Sequence, residues 1–216
     1  FAGFFDTYPT RLADLLGAGE TVDVVNMGIP GATTAGIVSA ASATSQTSVS
    51  PDNFRFGGRL TYRTGAKNVA VVWVGTNDVV LTGYGVPKTA AALVAEIEDF
   101  CDDLTADGFD AVVVLGLLHS EHPVYGNPHN SGYNDMVDDV NALLASSSHF
   151  DRFIDLSAMG EFDDPNDTTY FSDKLHLTLA GYALVAQTLE PIVSSAMSDG
   201  AGLIGSGFFG PGRGFN

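Results

Sequence analysis

Two stretches of the chain, Asn68–Val74 and Ala111–Leu117, are apolar almost without interruption. That pattern suits strands buried on both faces, as in parallel sheets covered by helices on either side. Between them, from Pro87 to about Ala106, Leu93, Val94, Ile97, Phe100, Cys101 and Leu104 recur at helical spacing, and Gly108 closes the run. Strand, helix, strand in this rhythm is a βαβ unit. The rest of the chain continues it. Further helices are expected at Tyr8–Leu16, with Pro9 near its start and Gly17 as its stop, and at about Thr33–Ala43, Ser131–Ala145 and Thr178–Ala196. Thr178 is the expected N-cap of the last. Further strands are expected at Thr21–Asn26 and Arg152–Leu156. The alternation predicts an α/β fold, a three-layer α/β/α sandwich around a parallel sheet. One domain is expected over residues 1–197, with residues 198–216, rich in Gly and Phe, as a flexible tail.

Composition narrows the partners. The chain has 216 residues, 45% of them apolar, which is enough for one sizeable core. No apolar run approaches the roughly 18 residues of a membrane span. Its 26 acidic residues against 9 basic ones give a net charge of −17. That charge argues against nucleic acid or an anionic membrane surface, both of which need Lys and Arg. Asp dominates the acidic set and Lys occurs only at positions 67, 88 and 174, a surface suited to a saline or extracellular setting. The single cysteine, Cys101, excludes an internal disulfide framework and a Cys-rich zinc site. The opening Phe-Ala-Gly-Phe-Phe-Asp has neither an initiator Met nor a signal-peptide core, so the natural protein is expected to begin earlier.

In an open parallel sheet the site lies beyond the carboxyl ends of the strands. Three loops are placed there. The first, Asn26-Met27-Gly28-Ile29-Pro30-Gly31-Ala32-Thr33, can expose backbone N–H groups, although it also suits a plain turn into a helix. In the second, Gly75-Thr76-Asn77-Asp78, Asn77 could donate to a developing oxyanion or simply close an Asx turn. In the third, Asp173-Lys174-Leu175-His176, a carboxylate three residues from a histidine can fix its tautomer and stabilise its protonated form. A solvated loop histidine is the plainer alternative. His119, His122 and His129 share one loop, but no helix fixes their spacing, so no metal site is expected; the loop is expected to border the substrate pocket. Asp102-Asp103 and Asp138-Asp139 read as solvated helix faces, and Trp73 as core.

Taken together, Asn-x-Gly-x-x-Gly-x-Thr, Gly-x-Asn-Asp and Asp-x-x-His, in this order, resemble the SGNH/GDSL hydrolases, a family of esterases and lipase-like enzymes. The likeness runs from about Ala2 to Ala196 and includes Thr7-Tyr8-Pro9 on the first helix. It implies a flavodoxin-like sandwich that cleaves small or medium acyl or acetyl esters through a serine, without a cofactor. In that reading Gly28 and Asn77 are oxyanion-hole donors, His176 is the general base and Asp173 orients it. The substrate would be a small-molecule ester, including an acylated carbohydrate or lipid.

One motif is missing. The family carries its nucleophile in Gly-Asp-Ser at the end of a first strand that lies inside the sheet, and no Gly-Asp-Ser occurs here. Family members continue Gly-Asp-Ser-x-x-Ala-Gly-aromatic, and Ala2-Gly3-Phe4 fits the second half. The serine is therefore expected about two residues before Phe1. The alternatives are a non-catalytic carbohydrate- or ester-binding module on the same fold, or a different serine, with Ser206 the internal candidate.

Overall fold

The computed structural model describes residues 7–17, 22, 24, 26, 28, 31–42, 66–82, 88–122 and 132–198. Among them the sheet has three parallel strands in the order β1 (Val69–Val72), β2 (Ala111–Leu115), β3 (Arg152–Ile154). Val69 stands opposite Ala111, and Val113 opposite Arg152. Every residue of β2 is buried, as its unbroken apolar run requires.

Side chains alternate across this sheet and build two cores. Val112 and Val114 point into a cluster with Leu93, Ile97 and Leu104 of α4 (Ala90–Ala106) and Val137, Val140 and Leu144 of α5 (Tyr133–Ala145). Val113 and Leu115 point the other way, against Leu12 of α1 (Tyr8–Leu15) and Val185, Leu189 and Val193 of α6 (Leu179–Ser198). The result is the expected α/β/α sandwich. Each fully buried Leu or Val contributes about 1.5–3 kcal/mol, so the two clusters dominate the stability of the fold.

Several elements differ from their expected form. β1 is only half-buried at Val69, Ala70 and Val71, and among the described residues it pairs with β2 alone. The expected strand Thr21–Asn26 is described at Val22, Val24 and Asn26, none of which is in a strand; the remainder lies outside the described residues. Gly75-Thr76-Asn77-Asp78 is not a loop. Gly75, in the left-handed region at φ 113°, ends the strand, and α3 (Thr76–Thr82) begins at once. α2 (Thr34–Ser42) and α5 start slightly later than expected, and β3 stops at Ile154 before a 3₁₀ turn at Leu156–Ala158. The Thr89 side chain caps α4 by accepting Ala92 N–H at 3.1 Å. Thr178 caps α6 through Gly181 N–H at 3.2 Å. Trp73 is half-buried against the second core, its ring edge-on to Tyr8 at 5.7 Å. α6 runs through Ser198, the first residue of the expected tail; residues 199–216, Ser206 among them, lie outside the described residues, as does His129.

Candidate active site

Asp173 and His176 occupy a short excursion closed at its base by an antiparallel bridge between Phe171 and Leu177. Ser172 N–H and its hydroxyl both donate to His176 O, at 2.8 and 3.0 Å. Inside this loop Asp173 works with both oxygens. Oδ1 accepts the backbone N–H of Leu175 at 3.2 Å and of His176 at 2.7 Å, and Oδ2 meets His176 Nδ1 at 2.7 Å. An ionised carboxylate only accepts, so the imidazole presents Nδ1–H to it, which in the neutral ring leaves the lone pair on Nε2. Burial alone pushes the Asp173 carboxyl up, but the N–H and imidazole of His176 outweigh it and hold the pKa below the usual range. The His176 side chain is 50% exposed, so solvent reaches the ring.

The loop is held from outside as well. Lys174 has φ 71°, the only left-handed conformation at a non-glycine residue among those described. Such a conformation costs about 1–3 kcal/mol and persists only where neighbours enforce it. They do so here: Lys174 O accepts the Ser120 hydroxyl at 2.8 Å and Glu121 N–H at 3.2 Å. Ser120 is buried, and its N–H donates to Asn134 Oδ1 at 3.0 Å. The loop after β2 thus fixes the Asp173–His176 loop. The end of β2 is in turn held by Asn141, which accepts Leu117 N–H at 2.8 Å and donates to Leu117 O at 2.9 Å. Sequence spacing did not mark Ser120, Asn134 or Asn141.

His122 stands beside the pair, with Nε2 3.9 Å from Asp173 Oδ2 and its ring edge-on to His176 at 6.5 Å. A cavity of about 360 Å³ opens here, lined by His122, Asn166, Thr168, Phe171, Asp173 and Lys174. The loop expected to border a pocket therefore does so through His122. His119 instead pairs with Asp138 at 2.7 Å on the surface, and His149 with Asp102 at 2.8 Å. Among the described residues no group of His, Cys, Asp or Glu could hold a metal ion.

The other two expected site residues sit on different elements. Asn77 lies in the first turn of α3 and donates one N–H to Ala32 O at 2.9 Å. Gly28 is exposed and donates its N–H to Asn26 Oδ1 at 3.0 Å. Next to Asn77, Asp78 is buried. Its Oδ2 accepts Thr34 N–H at 2.8 Å and the Thr34 hydroxyl at 3.1 Å, and its Oδ1 meets Lys88 Nζ at 2.6 Å. Lys88 also reaches Glu96 at 2.7 Å. Burial lowers the Lys88 pKa, but its bonds to Asp78 and Glu96 raise it above the usual lysine value.

A family model described as the GDSL-like Lipase/Acylhydrolase family matches residues 2–184. The chain belongs to this family. Its members are acylhydrolases, and ester hydrolysis is the general activity the assignment carries. No curated protein matches the chain. Among solved structures, one crystal structure is 18% identical and superposes with a TM-score of 0.53, over 90% of this chain and 88% of that chain. At that identity the likeness concerns the fold, which is the SGNH-like α/β/α sandwich. Among the described residues no helix is long and apolar enough to cross a membrane.

Proposed function

We propose that the protein is a serine ester hydrolase in which His176 and Asp173 work on a serine that precedes Phe1 by about two residues. The observation that carries this reading is the Asp173 Oδ2 to His176 Nδ1 contact at 2.7 Å, within a loop braced from two sides. Asp173 holds the imidazole in the tautomer whose Nε2 can take the serine proton. The serine oxygen attacks the ester carbonyl. His176 then returns the proton to the leaving alcohol, and a water repeats the sequence to release the acid. One Asn77 N–H is used by Ala32 O, and the second is assigned to the oxyanion. Gly28 N–H is the second donor in this reading and would exchange its Asn26 partner for the substrate.

That β1 pairs among the described residues with β2 alone supports a further strand on its other edge, which in the family's arrangement is the one that carries the nucleophile. The cavity beside His122 is assigned to the portion of the substrate flanking the ester. The substrate class is a small or medium acyl or acetyl ester, on a carbohydrate or lipid alcohol. The Asp-rich surface favours a secreted protein in a saline setting.

The test is hydrolysis of p-nitrophenyl acetate by the natural chain, including the residues upstream of Phe1. His176→Ala is expected to abolish turnover. Asn77→Ala is expected to lower kcat by roughly 10²–10³ with little change in KM. Full activity in His176→Ala would overturn the mechanism. An upstream sequence without serine, together with substrate binding but no turnover, would favour the binding module.

A further inference from the structure

Asp78 has no step in this chemistry, yet among the described residues it is the buried charged side chain. Taking a carboxylate out of water costs several kcal/mol, and an ion pair there is often no better for stability than a packed apolar residue. Its partners suggest what the charge does. Asp78 Oδ2 takes both the N–H and the hydroxyl of Thr34, the first residue of α2. Two residues earlier, Ala32 O takes the Asn77 N–H. Adjacent residues of α3 therefore grip one short segment at two points. Lys88, just before α4, closes on Asp78 from the other side, its side chain only 19% exposed, and is itself held by Glu96. Contacts run in sequence from Lys88 to Asp78, Thr34, Ala32 and Asn77.

We propose that Lys88 is a positioning residue for the Asn77 amide, acting through Asp78 and Thr34. With the ion pair in place, segment 31–34 stands where Ala32 O fixes the plane of the Asn77 amide. The second N–H of that amide is then held in one direction. Without Lys88 the buried carboxylate loses that ion pair, the segment shifts, and the amide is no longer aimed. The inference rests on the oxyanion role assigned to Asn77.

The experiment is a double-mutant cycle on kcat for p-nitrophenyl acetate with the full natural chain, comparing Lys88→Met, Asn77→Ala and the double variant. Lys88→Met is expected to lower kcat roughly tenfold with KM within about twofold, since small displacements of a catalytic group are costly. Lys88→Arg is expected to recover most of that loss. On the Asn77→Ala background, Lys88→Met should cost less than about twofold more, because residues acting through one group are not additive. The same roughly tenfold loss on that background would overturn the proposal, as would an unchanged kcat in Lys88→Met. If Lys88→Met does not fold, Thr34→Val, which removes one bond to Asp78, takes its place in the cycle with the same criterion. Unchanged kcat in Asn77→Ala alone would instead overturn the oxyanion reading, and the positioning role with it.

Discussion

Gly181 lies in the first turn of α6, where the helix passes under the loop that carries Asp173 and His176. A Cβ at this position would stand 2.6 Å from Tyr170 O and 3.0 Å from Leu177 Cβ. Tyr170 O already accepts Thr178 N–H at 2.8 Å, so it cannot rotate away without giving up that bond. A comfortable carbon–oxygen contact is about 3.3 Å or more, so Gly181→Ala requires a displacement of roughly half an ångström or more. Two effects then compete. Alanine gains up to about 1 kcal/mol over glycine in a helix interior, and less in a first turn. Overpacking against backbone costs about 1–3 kcal/mol. The steric effect wins, with a net loss of roughly 0.5–2 kcal/mol, or about 1–8 °C in Tm for a domain of this size. Because the displaced backbone leads straight into the Asp173–His176 loop, kcat should fall roughly tenfold. Thermal melts and steady-state hydrolysis on the natural chain check both. A rise in Tm with unchanged kcat would refute the reasoning, because it would show that the loop is not seated on α6 at this contact.

Three further outcomes are expected. Asn141→Leu keeps the branched outline but leaves Leu117 N–H and O without their Asn141 partners, so it should destabilise by roughly 2–5 kcal/mol in urea unfolding. The lowered Asp173 pKa makes its contribution to stability fully present above the unfolded value of about 3.9. That contribution is lost as pH falls through the lowered folded value, so the Tm gap between the natural chain and Asp173→Asn should narrow as the pH falls below about 4. Finally, on the proposed reading, in which a serine-bearing strand precedes Phe1 and pairs with β1, the 216 residues alone should show no cooperative monomeric melt, whereas the chain with that strand should. Among the described residues β1 pairs with β2 alone, and each backbone group left unpaired on its other edge would cost about 1–3 kcal/mol, against roughly 5–15 kcal/mol for a whole domain. A sharp monomeric transition in the 216-residue chain would contradict this.

What could be read from the sequence followed the range of the interactions involved. The six apolar positions of α4 named from spacing are all buried, because amphipathic spacing is a local property that the core then uses. Asp173 and His176 were legible for the same reason: three residues apart, they can meet within one loop. α3 was not legible. Thr76, Asn77, Asp78 and two valines are weak helix formers, and the helix is secured by distant partners. Val79 is buried in the first core, and Asp78 is bonded to Thr34 from 44 positions away. The brace on the Asp173–His176 loop was hidden likewise, since Ser120 reaches Lys174 across 54 positions. In the unfolded chain nothing marks that serine from others. The Asp173–His176 contact is thus encoded locally, while the groups that brace its loop come from elements the fold brings together. Substitutions at Ser120, Lys88 or Gly181 should therefore alter turnover although none of them lies in a motif.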